Sequence, residues 1–556
     1  MKKIINLILV FFVFAIALNA KNYYISSSTG NDATGDGSKS KPYKSFTKFD
    51  SSNTIGLVGG DSVLLKGGDT FTSTLTIYAN GNANADIVVG SYNNLVGAET
   101  NNAVINITSS SSSGVSTYGS YITIRDLIIS GPWNQYSTSG SSGTGIGLGA
   151  TASNVGSVAI IGCDISGFNW GINSYYSNVP TKNVYTTVNI MYNYVHECGK
   201  AGIDISASVP NSDNHIYAFG NLICYKNYIY NNLASACSDP YKCGHNGDGA
   251  VFGSFAKGCM SHNVVFHNGW LNKSIGAGPA GFWVWDSDSV IMEYNEAYDC
   301  GTKSGAGDGD AFDLDGGVTN TVLQYNYSHD NWAAGYLVWE YGSPRVKNSN
   351  NTIRYNISEN DNLGYLDADY NRKTFAGITV SPESCTKTTV YNNTVVSKNG
   401  PCLRVKASNN ATDSLNRFYN NIFYTSAPDY QGTAPNIIEA IGTRNQFLNN
   451  LYYNTKGNVS ILSAGSTYTN SNITSFDSKA IIGNPLLKNP IINVTFNDFT
   501  ANTNLTNYQL QTGSPAKDKG LDLTASPYKW NVGKIDYNYL SNPAGTGYDI
   551  GACEAR

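Results

Sequence analysis

Charged residues are scarce in this chain of 556 residues: Asp, Glu, Lys and Arg make up only 13% of it, and the formal net charge is −5. A protein that binds nucleic acid through phosphate contacts carries a clear excess of Lys and Arg. The mildly acidic balance therefore argues against nucleic acid as the main partner.

Long apolar runs are lacking as well, apart from one at the N-terminus. Residues 1–20, MKKIINLILVFFVFAIALNA, combine two lysines, an apolar stretch and a small final residue, the pattern of a secretory signal. No second apolar segment is long enough to span a membrane, and no Cys near the end of the first one offers a lipid attachment site. We expect a secreted monomer, extracellular or periplasmic, with no membrane partner.

The chain has ten cysteines, a number that fits a protein exported to an oxidising compartment, where disulfides persist. Cys237 and Cys243, close together in CSDPYKC, predict a local disulfide; the pairing of the other eight stays open. The 57 Gly and 39 Tyr favour strands and turns over helices. A chain of this length and composition is too long for a single β-sandwich domain and is typical of a solenoid.

A repeat of 28 to 37 residues supports the solenoid. Short motifs such as YNYVH, KNYIY, YNYSH and NNIFY share an asparagine that recurs nine times, at Asn193, Asn227, Asn263, Asn295, Asn326, Asn356, Asn393, Asn421 and Asn450. Asparagines at equivalent turns of stacked coils can hydrogen bond to one another. We therefore interpret this column as structural.

A second strand in each repeat shows which side is buried. GIDIS, GFWVW, AFDLD, GYLVW and GITVS alternate apolar with other residues, which predicts one buried face per strand. That core face comprises Ile203, Ile205, Phe282, Val284, Phe312, Leu314, Tyr336, Val338, Ile378 and Val380.

These coils resemble the pectin-lyase-like, right-handed parallel β-helix proteins, an all-β fold. NYYISSSTGNDATGDGSKSKPYKSF is similar to their N-terminal cap, and NPLLKNP, YQLQTGSPAKDKG and YDIGACE are similar to their final coils. The resemblance implies a signal peptide (1–20), a cap with the first coils (21–120), a central β-helix carrying the active-site groove (121–460), and C-terminal coils with a cap (461–556). Fold alone does not define the chemistry.

Two columns of side chains alternate with the core positions and should face solvent. The first comprises Asn173, Asp204, Val251, Trp283, Asp313, Leu337 and Thr379. The second comprises Tyr175, Ser206, Gly253, Trp285, Asp315, Trp339 and Ser381. With adjacent coils about 4.8 Å apart, three tryptophans should surround Asp313 and Asp315, with Asp286 and Glu340 at the strand ends. Indole rings beside carboxylates suggest sugar binding, unless the segment 340–376 folds back and covers them.

The stretch GDGDAFDLDGG, residues 307–317, holds four aspartates, Asp308, Asp310, Asp313 and Asp315, within eight residues. It could bind calcium, mainly through Asp308 and Asp310, although position 12 of a helix-loop-helix calcium loop would be Thr319 rather than Glu. It could instead be a solvated polar face. The third hypothesis is catalysis: two crowded carboxylates have different pKa values and can act as acid and base on a glycosidic bond.

The run from WDSDSV to AAGYLVWEYG resembles β-helical glycoside hydrolases such as α-L-fucosidases, fucanases and xylanases. That resemblance implies aspartate catalysts on outward strand positions, which here match Asp313 and Asp315, and we add Asp310 and Glu340 as candidates. Predicted substrate-binding residues are Trp283, Trp285, Asp286, Trp339, Asp204, Arg404 and Lys406.

Two alternatives stay open. A calcium-dependent lyase acting on a uronate polymer needs a base and positive charge, but the outward columns between 202 and 340 lack Lys and Arg, so Lys257, His245, Arg372 or Lys373 would have to reach in. A noncatalytic carbohydrate-binding surface protein needs only the tryptophans. We predict an endo-acting hydrolase that requires no cofactor and cleaves a polysaccharide; fucose-containing and sulfated or otherwise anionic chains are the candidate substrates.

Overall fold

A computed structural model describes residues 20–555, with gaps. The residues left out between these limits are 50–54, 94, 97–98, 138–142, 150–155, 176–183, 209–215, 238–242, 276, 303–306, 342–343, 367–374, 382–383, 399, 407–414, 427–435, 442–444 and 491–504. In the described part, three sheets have fourteen strands each.

The strands follow one another from sheet to sheet in a repeating order. The first sheet comprises Asn22–Ile25, Ser62–Lys66, Ile87–Tyr92, Ile122–Arg125, Gly156–Ile161, Tyr185–Met191, Phe219–Tyr225, Phe255–Ser261, Val290–Glu293, Val322–Gln324, Thr352–Arg354, Thr389–Tyr391, Asn416–Tyr419 and Asn445–Leu448. The second sheet comprises Thr70–Phe71, Ala103–Asn106, Leu127–Ser130, Asp164–Ser166, Tyr194–His196, Tyr228–Tyr230, Val264–Phe266, Glu296–Tyr298, Tyr327–His329, Ile357–Glu359, Thr394–Ser397, Ile422–Thr425, Leu451–Asn454 and Ile481–Ile482. The third sheet comprises Leu75–Ile77, Val115–Thr117, Thr144–Gly149, Trp170–Tyr175, Ala201–Ile205, Asp248–Gly253, Ala280–Trp285, Asp310–Asp315, Tyr336–Trp339, Ile378–Ser381, Leu403–Lys406, Ile438–Ile441, Ser460–Ser463 and Ser466–Thr469.

Short elements complete the described structure. The hairpin Leu95–Val96 and Glu99–Thr100 and the last two strands of the third sheet are antiparallel, whereas the other paired strands are parallel. Four 3₁₀ helices comprise Thr47–Phe49, Leu363–Leu366, Ile473–Ser475 and Thr506–Tyr508. Each coil contributes one strand to each sheet and then returns to the first, so the architecture is a parallel β-helix, as predicted from the repeat. Connections between parallel strands of one sheet are right-handed in nearly all proteins.

The interior of the coil is apolar because the strands alternate inward and outward side chains. All ten residues predicted for the core face of the third sheet are fully buried, from Ile203 to Val380. Aromatic rings of successive coils stack there, with centroids 5.4 Å apart for Phe282 and Phe312 and 5.2 Å apart for Phe312 and Tyr336. The prediction of the core from alternation is confirmed.

The asparagine column forms a continuous ladder, which confirms its structural interpretation. From Asn193 to Asn421, each side-chain Nδ2 donates to the Oδ1 of the next asparagine at 2.8 to 3.1 Å. The same Oδ1 atoms also accept the backbone N–H of the preceding asparagine. The ladder ends where Asn450 Nδ2 donates to Asp477 Oδ2 at 2.9 Å.

Residues 505–555 differ from the prediction that the C-terminal sequences form final coils. They add no strand to the three sheets in the part that the structure describes; they pack against a column of tyrosines on the coils before them. Tyr325 Oη donates to the Ile535 carbonyl at 3.0 Å, and Asn392 Nδ2 donates to the Asp549 carbonyl at 2.9 Å. The sheets themselves run through the predicted boundaries at 120 and 460 without a break. The segment therefore covers the side of the solenoid rather than its end.

Cys237 and Cys243 form a disulfide, with their Cα atoms 5.6 Å apart. The remaining eight cysteines are free thiols, and all but Cys259 are buried. Burial raises the pKa of Cys163 and Cys198 to about 12, so these thiols stay protonated at neutral pH. None of the helices in the described residues is long and apolar enough to cross a membrane; residues 1–19 of the predicted signal lie outside the described part.

Candidate active site

The outward columns predicted from alternation lie in register on the third sheet. Asp204 pairs with Val251, Val251 with Trp283, and Trp283 with Asp313. In the second column, Trp285 pairs with both Gly253 and Asp315. Asp313, Trp283, Trp285 and Trp339 are half-buried rather than packed in the core. Backbone pairing therefore brings acids and indoles from four coils to one face; the side chain of Tyr175 lies outside the described residues.

Asp313 and Asp315 line the same small cavity, of about 130 Å³, on this outer face. Loops before the strands close one side of the cavity, and side chains of the next coil close the other. Its lining comprises His245, Ala277, Gly278, Ala280, Trp283, Asp308, Asp313, Asp315, Leu337, Trp339 and Tyr341. The site is thus a partly closed pocket, whereas the open coil faces had suggested a groove.

The two carboxylates are held in different ways. Asp315 Oδ1 accepts the backbone N–H of Gly316 at 2.8 Å, and burial, with Asp308 and Glu340 nearby, raises the pKa of Asp315 to about 7. For Asp313, burial and the charge of Asp315 raise the pKa well above its usual range. Its Oδ1 is buried without a hydrogen-bond partner in the described part of the chain. Burial and the neighbouring charge thus favour the protonated form of Asp313, whereas the Gly316 N–H favours the ionised form of Asp315.

His245 and Asp308 also line the cavity, and Gly278 contacts both. The Gly278 carbonyl is 2.9 Å from His245 Nδ1, and its N–H donates to Asp308 Oδ2 at 2.6 Å. The His245 ring packs on the indole of Trp283, with centroids 4.3 Å apart, and burial lowers the pKa of His245. Trp283 Nε1 is a second buried polar atom without a partner among the described residues. The cavity thus offers an unused donor and an unused acceptor.

Two glycines seat the aromatic rings around the acids. A Cβ on Gly253 would lie 2.3 Å from the indole of Trp285, and a Cβ on Gly316 would lie 1.9 Å from the ring of Tyr341. Tyr341 is 40% exposed and forms the rim of the cavity. Trp339 packs against Phe375, with ring centroids 6.2 Å apart, so the alternative in which segment 340–376 covers the tryptophans holds for this one residue.

Three of the predicted acidic residues lie beside the cavity lining rather than in it. Asp310 is buried, and its Oδ1 accepts the Ala334 N–H at 2.7 Å. Asp286 is bound by Arg345 through two bonds of 2.9 and 3.0 Å. Glu340 is 2.8 Å from Lys347 Nζ and accepts the Asn348 N–H at 2.7 Å.

The contacts of Asp310, Asp286 and Glu340 hold the ends of their strands in position. The catalytic roles of Asp310 and Glu340 and the binding role of Asp286 stay predictions.

The remaining predicted residues lie further along the sheet. Asp204, two coils before Trp283, accepts a bond of 2.6 Å from Ser206 Oγ. Arg404 forms an ion pair of 2.9 Å with Glu439 of the next coil, and Lys406 is exposed. Of the basic groups and bases considered for a lyase, His245 lines the cavity and Lys257 lies on the first sheet; Arg372 and Lys373 are outside the described residues.

Tyr341 was not predicted from the sequence, and His245 was predicted only as a conditional base. Neither residue belongs to a strand, so alternation could not place it. The one available signal was position: His245 and Asp308 each shortly precede a strand of the third sheet, as do Ala277 and Gly278. Loops that enter neighbouring strands must meet at the same edge.

No group of three or more His, Cys, Asp or Glu side chains in the described residues is arranged to hold a metal ion. Asp308 and Asp310 each accept a backbone N–H from a neighbouring coil. Calcium at these two residues therefore stays a prediction.

Asp248, buried one coil before Trp283, should make stability depend on pH. Burial raises its pKa to about 8, although its Oδ1 accepts the Ala280 N–H at 2.9 Å. A carboxyl whose folded pKa is raised keeps its proton in the folded state, so stability falls as pH rises from about 4 to 8. We expect Asp248→Asn, which keeps the acceptor oxygen, to be more stable than the parent by about 2 to 4 kcal/mol at pH 8 and nearly equal at pH 4.

Urea unfolding at several pH values measures this difference. Asp522→Asn is the control, because Asp522 is nearly fully exposed and hydrogen bonds lower its pKa. If the parent and Asp248→Asn lose stability equally between pH 4 and 8, Asp248 is not the source of the dependence.

Fold and cavity together define a parallel β-helix protein with a carboxylate-lined pocket on the outer face of one sheet. The lacto-N-biosidase of Bifidobacterium longum subsp. longum is 27% identical over 489 residues, which cover 72% of this chain and 28% of that protein. The chain thus spans less than a third of the length of this curated relative. No family model matches the sequence.

Solved structures with a similar course of the backbone include two enzymes. The native GH136 lacto-N-biosidase from Eubacterium ramulus is 21% identical, with 69% of this chain and 65% of that chain covered and a TM-score of 0.43. A pectate lyase is 15% identical, with 96% of both chains covered and a TM-score of 0.41.

Proposed function

We propose that this chain is a secreted glycoside hydrolase in which Asp313 is the general acid and Asp315 the base or nucleophile. The observation that carries the proposal is that the two carboxylates line one cavity and differ in environment. Burial favours the protonated form of Asp313, whose Oδ1 has no partner among the described residues, whereas the Gly316 N–H stabilises the ionised form of Asp315. A glycosidase needs this division between a proton donor and an ionised carboxylate.

Trp283 supports a sugar substrate. Its indole lines the cavity beside both acids and leaves Nε1 without a partner among the described residues. Tyr341 contributes a second aromatic side chain. An indole or a phenol has an apolar ring and one polar atom, so it can contact the apolar face of a sugar ring and hydrogen bond to a hydroxyl at its edge. Because Asp315 acts in its ionised form, the sugar bound at the cleavage site should be neutral; the carboxylate of Asp315 would repel a uronate or sulfate.

This charge also weighs against a polysaccharide lyase. His245 could serve as its base, since burial favours the neutral imidazole, but the described residues that line the cavity include no Lys or Arg to neutralise a uronate. The curated relative suggests a narrower substrate: as a lacto-N-biosidase it is named for lacto-N-biosides, and we propose to try these first. Action on fucose-containing, sulfated or xylan-type chains and an endo mode of cleavage stay predictions.

The test is incubation of the full chain with a lacto-N-bioside, neutral polysaccharides and uronate polymers, followed by mass spectrometry of the products. A hydrolase adds the mass of water to the fragments, a lyase leaves an unsaturated sugar that absorbs in the ultraviolet, and a binding protein gives no product. A parallel series with a calcium chelator tests the predicted ion at Asp308 and Asp310. Product with an unsaturated sugar, or none from any substrate, would refute the proposal.

The pH dependence of the rate should follow the two acids. Because Asp315 has to be ionised and has a pKa of about 7, kcat/KM should rise with pH up to about 7 and fall where Asp313 loses its proton at higher pH. Initial rates on a hydrolysed substrate across the pH range measure this profile. A rate already maximal near pH 5 would contradict the assignment of Asp315.

A further inference from the structure

A cavity of about 610 Å³ lies away from the acidic pocket, where the second sheet passes into the third. It shares no lining residue with the pocket around Asp313. Its volume falls in the range of about 300 to 1,000 Å³ that is common for small-molecule sites, whereas the acidic pocket is several times smaller.

One wall of this cavity is an aromatic pair on the loop after the strand Leu127–Ser130. Trp133 is 6% exposed and its Nε1 donates to Ser235 Oγ at 3.1 Å. A Cβ on Gly199 would lie 2.3 Å from the same Nε1, so the indole has room only because residue 199 is glycine. Tyr136, three residues on, is 81% exposed. The indole is thus fixed, and the phenol beside it is open to a ligand.

A second part of the lining, here called the second wall, consists of polar side chains from successive coils. Glu197, Asn231 and His267 occupy the same turn position, with φ of 54°, 56° and 52°, and each donates its backbone N–H to the next coil. Repetition of one turn places their side chains in a row about 4.8 Å apart. His267 Nδ1 is 2.6 Å from Asp299 Oδ2, which orients the ring; its Nε2 makes no hydrogen bond within the described part of the chain.

The loops that carry the two walls are tied together. The Ala236 N–H donates to the Ser137 carbonyl at 2.9 Å, directly before the disulfide between Cys237 and Cys243. Ser235, which holds Trp133, also donates to Asn169 Oδ1 at 3.1 Å. The cavity is therefore formed in advance of binding, which reduces the entropy lost on association.

We propose that this cavity is a second carbohydrate-binding site, specific for neutral oligosaccharides. A fixed indole and an exposed phenol suit the apolar face of a sugar ring, and a row of carboxylate, amide and imidazole suits its hydroxyl groups. Glu197, whose side chain is 61% exposed, disfavours an anionic ligand. A purely apolar ligand would leave these polar groups without hydrogen bonds.

The neighbouring outer face of the second sheet lacks this capacity although it is rich in aromatics. His196, Tyr230, Phe266 and Tyr298 stack ring on ring, with centroids 4.8 to 5.0 Å apart and planes within 6°. Their faces are therefore already covered by one another, and only edges are exposed to solvent. Tyr136 and Trp133 are not part of this stack.

The choice of glycan rests on the proposed function, and the experiment separates the two claims. Titrations use the full chain with Asp313→Asn, so that glycans are not cleaved, and lacto-N-bioside-terminated oligosaccharides of increasing length as probes. Trp283→Ala removes the indole of the acidic pocket, Tyr136→Ala removes the phenol of the second cavity, and Tyr192→Ala is the matched control, since Tyr192 is 43% exposed on another turn.

We expect Tyr136→Ala to weaken binding of the longer glycans about tenfold, with or without Trp283→Ala, and Tyr192→Ala to leave the affinity unchanged. Glu197→Gln should weaken binding less, because the amide keeps one acceptor. If Trp283→Ala has no effect while Tyr136→Ala does, the second site stands and the acidic pocket loses its proposed role. If Tyr136→Ala and Glu197→Gln leave affinity unchanged, or no glycan binds the parent, the second site is refuted.

Discussion

Replacing Asp313 with Asn is expected to lower kcat/KM for a hydrolysed glycoside on the order of 10³-fold, within the range found for loss of a general acid. The amide has nearly the shape of the protonated carboxyl but cannot give a proton to the leaving oxygen. Because burial keeps Asp313 protonated in the folded chain, the neutral amide should not destabilise the fold. Initial rates and a thermal melt on the same preparation measure both effects.

Controls decide whether a loss of rate reports on chemistry. Asp315→Asn should lose as much activity as Asp313→Asn, because the base or nucleophile disappears. Asp164→Asn, at a half-exposed carboxyl on the second sheet, should change kcat/KM less than twofold. An Asp313→Asn variant that retains a tenth or more of the parent rate, or that loses activity only together with its melting transition, would remove Asp313 from the acid role.

The second large effect concerns the asparagine ladder. Asn326→Ala should lower the free energy of unfolding by about 3 to 5 kcal/mol, because several buried groups lose their partners at once. Asn326 Nδ2 donates to the Met292 carbonyl at 2.8 Å and to Asn356 at 3.0 Å, while its Oδ1 accepts the backbone N–H and Nδ2 of Asn295, both at 3.0 Å. Urea unfolding followed by circular dichroism gives the change.

Two further variants separate the ladder from general effects of mutation. Asn101→Ala, at an exposed position, should be nearly neutral. Asn326→Asp keeps the acceptor for Asn295 but turns a buried carboxylate oxygen toward two acceptors, the Met292 carbonyl and Asn356 Oδ1, so we expect a loss at least as large as that of Asn326→Ala. If the free energy of unfolding of Asn326→Ala were within about 1 kcal/mol of the parent value, the ladder would not contribute substantially to stability.

The fold and the outward columns were predictable because both follow from two sequence periods, the two-residue alternation along a strand and the repeat from coil to coil. Alternation along a strand and repetition between coils assign Phe312 and Leu314 inward and Asp313 outward without reference to any loop. The register of a parallel sheet then brings Trp283 beside Asp313, since backbone pairing leaves little freedom there. For this reason the sequence was enough to place Asp313, Asp315, Trp283 and Trp339 on one outer face, whereas their roles stay predictions.

The rest of the site depends on loops, which have no period. Asp286 and Glu340 were placed correctly at strand ends, but their partners Arg345 and Lys347 lie on a connection whose course the alternation does not predict. Tyr341 is seated by Gly316, a contact between a loop and a strand. Such contacts close the pocket and form the cavity beside Trp133. They have no sequence period, so alternation and repetition could not predict them.

The asparagine ladder also gives the solenoid an electrical direction. Each Oδ1 faces the preceding asparagine and one N–H of each Nδ2 points to the next coil, while the other N–H of Nδ2 donates to a backbone carbonyl of the preceding coil. The side-chain dipoles from Asn193 to Asn450 therefore add head to tail, with their positive end at the last coil. Asp477 lies at that end and also accepts the Tyr452 hydroxyl at 3.0 Å. The carboxylate of Asp477 can balance the positive end of the summed dipoles. It has no N–H with which to continue the ladder, so the same residue also terminates it.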